Sequence, residues 1–210
     1  MVKNIIFDVG KVLVEWDCDR AFEQLGITGA VKEAVADATV RSSDWNEYDR
    51  SACPPERQLA LFISKIPQYE NELRLFWEHI GLAISRYPYT LPWVRSLKAA
   101  GYRVYILSNY AAWTYEHTKE ELCFLEEVDG AVFSFQVQAV KPEPAIYRAL
   151  LDKYRLEPEE SVFVDDRPDN IEAARREGIH AVHFTSYAQA LRDLASLGVK
   201  TEHGAKRTGQ

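Results

Sequence analysis

Asp8, Ser108-Asn109, Lys141 and Asp165-Asp166 all follow apolar runs in this chain: Ile5-Ile6-Phe7, Tyr102 to Leu107, Ala131 to Phe135 at a short remove, and Ser161 to Val164. Each alone has a plain structural reading. An Asp with Gly10 behind it turns a chain, Ser-Asn and Asp-Asp cap helices, and Lys-Pro puts a solvated lysine at a helix start. Brought together, they become a site. Three neighbouring carboxylates repel one another unless a hard cation or a lysine neutralises them, and Mg2+ takes a few oxygen ligands while keeping water. The set therefore implies a divalent metal, beside an Asp8 that can attack an electrophile or bind that metal.

The runs themselves supply the elements. Ile5, Ile6 and Phe7 follow one another without polar alternation, which suits a short strand buried on both faces of a parallel sheet. Strands are likewise expected at 102–107, 131–135, 161–164 and 180–184, with helices over 91–100, 143–154, 170–177 and 187–197. Five strands separated by helices predict an α/β, doubly wound parallel sheet with right-handed crossovers. In such sheets the carboxyl ends of the strands form the crevice that takes ligands.

The first crossover is too long for this pattern, spending about seventy residues where a few dozen suffice. Residues 16–87 hold no comparable strand, and Ala, Leu, Glu, Lys and Gln recur at helical spacing. Gly26 and Gly29 punctuate a first helix, and Pro54-Pro55 open another that Pro67 closes. A further helix over 68–85 carries the stripe Leu73, Phe76, Trp77 and Ile80. This region is expected to be an inserted helical cap. The core then comprises 1–15 and 88–199, and 200–210 is expected to be a flexible tail. The polar stretch Ser42 to Arg50 mixes aromatic, acidic and basic groups without an apolar face and could line a pocket.

With 47% hydrophobic and 27% charged residues, the chain has the composition of a soluble globular protein. Its net charge of −7 argues against general nucleic-acid or anionic-membrane binding, while leaving room for a local basic pocket around a small anion. Cys18, Cys53 and Cys123 are odd in number and widely spaced, which fits neither a disulfide framework nor a zinc motif. No apolar run reaches membrane-span length, and the first strand begins too early to leave room for a signal peptide, so a cytoplasmic protein is expected.

On Ile5-Ile6-Phe7-Asp8-Val9-Gly10, Leu107-Ser108-Asn109, Lys141-Pro142 and Val164-Asp165-Asp166 with Asp169-Asn170, the chain resembles the haloacid dehalogenase-like hydrolases, in their capped phosphatase branch. Phe-Asp-Val-Gly-Lys-Val-Leu-Val is most similar to the subgroup that includes bacterial glucose-1-phosphate and other sugar-phosphate phosphatases. The resemblance implies a Rossmann-like core and hydrolysis of a small phosphorylated metabolite, with no nucleic-acid, membrane or obligate protein partner. It further implies Asp8 as the nucleophile forming an aspartyl-phosphate, and Ser108 and the Asn109 backbone as phosphate holders. Lys141 would neutralise both anions. Mg2+ would be held by Asp8, the Gly10 carbonyl, Asp165 and Asp166.

One position departs from the family pattern. Most phosphatases of this family carry a second Asp two residues after the nucleophile to protonate the leaving oxygen, and here that place is Gly10. Glu15, Asp17 and His117 are the candidate substitutes; otherwise the substrate carries a leaving group acidic enough to depart with less help. Trp45, Tyr48, Asp49, Arg50, Tyr110, Trp113 and His117 could stack on or hydrogen-bond a sugar. The alternatives are a 2-haloacid dehalogenase, which needs no metal, a non-catalytic or weakly active binding protein, and a phosphomutase.

Overall fold

The computed structural model describes residues 1–200. Its elements in chain order are β1 (Asn4–Phe7), β2 (Val14–Trp16), α1 (Cys18–Gln24), α2 (Gly29–Ala38), α3 (Trp45–Arg50), α4 (Pro55–Lys65), α5 (Glu70–Glu78), β3 (Ile84–Arg86) and α6 (Thr90–Ala99). There follow β4 (Arg103–Ser108), α7 (Ala112–Glu116), β5 (Gly130–Phe133), α8 (Ser134–Val137), α9 (Pro144–Tyr154), β6 (Ser161–Asp165), α10 (Pro168–Arg176), β7 (His180–His183) and α11 (Tyr187–Ser196).

Five strands form a parallel sheet in the order β5-β4-β1-β6-β7, so β1 is central and successive strands are added first on one side of it and then on the other. Both faces of the sheet are covered, which explains the unbroken apolar runs. Ile5 and Phe7 pack on one side with Trp93, Ile106 and Val164. Ile6 packs on the other with Leu107, Phe163, Ile146 and Leu150. Asp8, Ser108 and Asp165 therefore emerge at neighbouring carboxyl ends of β1, β4 and β6.

Several expected boundaries shift. The run 131–135 ends as a strand at Phe133, because Ser134 opens the short α8 with its hydroxyl buried against Tyr110 N–H at 2.8 Å. The stripe at 68–85 is helical only over Glu70–Glu78; a 3-10 turn follows at Ile80–Ala83 and then β3. There the backbone passes so close to α7 that a Cβ on Gly81 would stand 2.7 Å from the His117 carbonyl oxygen. β3 pairs antiparallel with β2, and this two-stranded ribbon brings the ends of the helical insertion α1–α5 side by side. Three-residue strands carry too few alternations to be read from sequence. The tail expected to be flexible lies outside the described residues except for Lys200, whose N–H donates to Tyr102 Oη at 2.9 Å. Among the described residues no helix is long and apolar enough to cross a membrane.

Candidate active site

Asp8 lies one residue beyond β1, and its N–H still donates to Val164 O at 3.0 Å, so the sheet ladder sets its place. Its side chain is held from one side. Oδ1 accepts from Val9 N–H at 2.7 Å, Ser108 Oγ at 2.8 Å and Lys141 Nζ at 2.7 Å. Among the described residues no donor reaches Oδ2.

Lys141 is almost fully buried, and its Nζ also stands 2.7 Å from Asp165 Oδ2. Burial alone disfavours the ammonium charge, but Asp165 and Asp8 outweigh it and hold the pKa above the usual lysine range. The lysine reaches both carboxylates because Asn109 fixes its main chain: Asn109 Oδ1 accepts from Lys141 N–H at 2.7 Å, and Nδ2 donates to Lys141 O at 3.1 Å.

Asp165 is fully buried, and each of its oxygens accepts from two donors. Oδ1 accepts from Arg167 N–H at 2.8 Å and Asn170 Nδ2 at 3.0 Å, while Oδ2 takes Lys141 and Asn170 Nδ2, also at 3.0 Å. Asp166 is half-buried and lines the cavity in front of Asp8. Carboxylate oxygens of Asp8, Asp165 and Asp166 all lie within 4.8 Å of one another. One lysine cannot balance three such groups. Burial pushes Asp8 up to about 7 against the opposing charge of Lys141, with Asp165 adding to the rise. Asp166 is raised by burial and then by Asp165.

A hard divalent cation fits this donor set, which is all oxygen and carries excess negative charge. Asn170 supplies a second sign of fit: its Nδ2 is committed to Asp165, leaving Oδ1 a buried acceptor without a partner among the described residues, at the cavity wall. Gly10 lines the same cavity, and a Cβ built on it meets nothing within 4 Å.

The cavity has a volume of about 610 Å3. Asp8, Ser108, Asn109, Lys141 and Asp166 form its floor, and Trp16, Val40, Trp45 and Ile84 give it apolar walls. Exposed Lys11 and Arg167 bring positive charge to its lining, against the acidic balance of the whole chain, while Arg41, which also lines it, is paired with Glu33 at 2.6 Å and Asp37 at 3.2 Å.

None of the three expected substitute acids lines this cavity, which corrects that expectation. Alternation along β2 turns Val14 and Trp16 to the cavity and Glu15 away, into a pair with Arg20 and a bond from Ser85 Oγ at 3.2 Å. Asp17 caps α1, accepting from Arg20 N–H at 2.9 Å. His117 is exposed behind α7, its Nδ1 2.8 Å from Trp113 O.

Of the residues considered for sugar contact, Trp45, Asp49 and Tyr110 line the cavity, as do Ser42 and Ser43 from the same polar stretch. Tyr48 is buried with its hydroxyl 2.6 Å from Thr114 Oγ1, Arg50 pairs with Glu143, and Trp113 stacks on Trp77. Trp16, Lys11 and Arg167 also line the cavity, beyond the residues expected from the sequence. The two-residue spacing of Val14 and Trp16 was the available signal for the first; nothing local marked the other two.

Known proteins similar to this chain include the D-ribitol-5-phosphate phosphatase of Bacteroides thetaiotaomicron, 28% identical over 85% of this chain and 89% of its own length. The phosphatase MT3486 of Mycobacterium tuberculosis is 28% identical over 94% of this chain and 95% of its own. The bifunctional epoxide hydrolase 2 of Mus musculus is matched over only 19% of its length. Among solved structures, the HAD family enzyme bt-2542 of Bacteroides thetaiotaomicron, in complex with magnesium and inorganic phosphate, shares the fold. Its TM-score is 0.72 at 19% identity, over 91% of this chain and all of that one. The family profile of the haloacid dehalogenase-like hydrolases matches residues 2–178, and the chain belongs to that family.

Proposed function

We propose that this protein is a Mg2+-dependent phosphatase that hydrolyses a small phosphate monoester, a sugar or polyol phosphate, through an aspartyl-phosphate on Asp8. The observation that carries the reading is the asymmetry of Asp8: three donors hold Oδ1 and orient the carboxylate, while Oδ2 keeps its lone pairs for attack. Ser108 and Lys141 then stand where donors to the transferring phosphoryl oxygens are needed, so the charge of an in-line transfer meets preorganised partners. Asp8, Asp166 and the Gly10 carbonyl would hold Mg2+, with Asp165 as a further carboxylate that also fixes Lys141. When bound, the ion supplies positive charge beside the phosphoryl group.

The cavity suits a compact polar substrate. Its volume lies in the range of small-molecule sites, its lining joins aromatic faces to hydroxyl and amide groups, and Lys11 and Arg167 favour an anion. The relative named for D-ribitol 5-phosphate supports an acyclic or cyclic sugar phosphate as the first class to assay. The inserted helices α1–α5, which contribute Trp45 and Asp49 to the lining, would act as the cap over the core.

A panel of phosphate monoesters assayed with Mg2+ and with chelator tests the reading. Phosphate release is expected to require the metal and to fall by at least about 10³-fold in Asp8→Asn, since the nucleophile is lost. Chloride release from a 2-haloacid in chelator, without phosphate release from any ester, would replace this reading with the dehalogenase one.

A further inference from the structure

The phosphatase reading leaves one role unfilled. A monoester with a basic leaving oxygen needs a proton as the P–O bond breaks, and Gly10 has none to give. Among the described residues, one carboxyl group outside the metal cluster lines the cavity that holds Asp8: Asp49, on α3 of the helical insertion. Among the described residues its side chain makes no hydrogen bond and no ion pair, although both of its chain neighbours make such contacts. A half-buried carboxyl group left without a partner in a charged cavity is available to a ligand.

Its backbone is fixed to the core on every side. Asp49 O accepts from Ser134 Oγ at 2.6 Å, and the Tyr48 hydroxyl meets Thr114 Oγ1 at 2.6 Å. Arg50 pairs with Glu143 and donates to Gln138 O at 3.2 Å, and Ser51 Oγ accepts from Ala112 N–H at 2.9 Å. Four consecutive residues thus dock α3 and its C-cap Ser51 onto the segments that follow β4 and β5. This holds Asp49 at a fixed place in the lining, at the part of the insertion that is docked to the core.

We propose that Asp49 is the general acid of the phosphoryl transfer and then the general base of its second half, in the role left open by Gly10. The proposal rests on the phosphatase reading. In the first half, Asp8 Oδ2 forms a bond to phosphorus as the bond from phosphorus to the ester oxygen breaks, and the Asp49 carboxyl proton passes to that oxygen, releasing an alcohol. In the second half, Asp49 carboxylate takes a proton from water as its oxygen attacks phosphorus. The Asp8–phosphorus bond breaks, and inorganic phosphate leaves. Both groups return to their starting states. The environment favours the acid form at rest: burial pushes Asp49 up to about 8, with the neighbouring Asp8 adding to the rise and Lys141 and Arg167 opposing it.

The test compares kcat/KM for a nitrophenyl phosphate, phenyl phosphate and a simple alkyl phosphate without hydroxyl groups, in wild type, Asp49→Asn, Asp8→Asn, Gly10→Asp and the Gly10→Asp/Asp49→Asn double variant. Loss of a positioned acid costs about 10² to 10⁴-fold. Asp49→Asn is expected to lose that much on the alkyl ester and little on the nitrophenyl ester, whose leaving group needs no proton. An unfolded fraction would lower both alike, so the ratio within one sample isolates the role. A Cβ at residue 10 meets nothing within 4 Å, so Gly10→Asp is expected to restore the alkyl ester activity of Asp49→Asn. Equal losses on all three esters, or none, would overturn the proposal while leaving Asp8 chemistry standing. Full activity of Asp8→Asn, or no phosphate release by wild type, would remove the phosphatase reading itself and Asp49 with it.

Discussion

Asn109 grips Lys141 by both main-chain polar groups, accepting its N–H at 2.7 Å and donating to its carbonyl at 3.1 Å. The amide at the end of β4 thereby sets the position of an ammonium group that must reach Asp8 and Asp165 at once. Asn109→Ala is expected to leave the fold intact, at a cost of about 1–3 kcal/mol for each of the two groups left unpaired. Its kcat/KM is expected to fall by about 10²-fold through misplacement of Lys141. Urea unfolding and ester hydrolysis measured together check this, and unchanged kinetics would assign Asn109 a purely structural part.

Removing the lysine has a different signature. Lys141→Met leaves Asp8 and Asp165 buried without their cation, and breaking such a pair costs about 3–5 kcal/mol. The loss is expected to be largest at neutral and alkaline pH and to shrink in acid, where Asp8 takes up a proton. Urea midpoints at pH 5.5 and 8, chosen to bracket about 7, would show the difference.

The same titration governs metal binding. In the folded protein Asp8 is raised from the ordinary 3.8 to about 7, so between these values the native state holds a proton that the unfolded chain has released. By linkage, the metal-free protein loses stability as pH rises through that window, and Asp49 and Asp166 act in the same direction. Mg2+ takes the deprotonated form. Its effect on the melting temperature is therefore expected to be greater above pH 7 than below it, and an equal shift at both would count against Asp8 as a ligand.

Two glycines should answer alanine in opposite ways. At Gly130, where β5 begins, a Cβ would stand 2.3 Å from Tyr154 Cζ, and that ring is anchored by its hydroxyl to Ala131 N–H at 2.9 Å. Gly130→Ala is expected to destabilise by about 1–3 kcal/mol through overpacking. Gly10→Ala, which enters open space, is expected to leave the melting temperature nearly unchanged.

Ser134→Ala tests the docking of α3. Its hydroxyl donates to Asp49 O and accepts from Tyr110 N–H. The variant is expected to reproduce the leaving-group selectivity of Asp49→Asn in milder form. A uniform loss across esters would separate the docking contact from the acid.

The sheet was legible in the sequence because its strands are buried on both faces, so Ile5-Ile6-Phe7 and Val162-Phe163-Val164 show as unbroken apolar runs with carboxylates at their ends. The floor of the site followed from that placement. What lay beyond reach was side-chain direction. Glu15, Asp17 and His117 were near in sequence or type, but β-alternation, a helix cap and an outward helix face take them from the cavity. Asp49 stood in a polar stretch with no periodicity, and only the docking of α3 separates it from Tyr48 and Arg50 beside it.

The β2–β3 ribbon also bears on how the chain finds its fold. β1 must pair with β4 across about a hundred intervening residues, from Asn4 to Arg103. Once Trp16 lies against Ile84, the helical insertion is tied off as a closed loop, and the remaining span to be closed shrinks to about thirty residues. On the logarithmic cost of loop closure this saves about 1 kcal/mol at the step that joins the central strand to its neighbour. A three-residue ribbon can thus decide when the sheet nucleates, and pairs across it, such as Glu15 opposite Ser85, are where substitutions should slow refolding more than they lower stability.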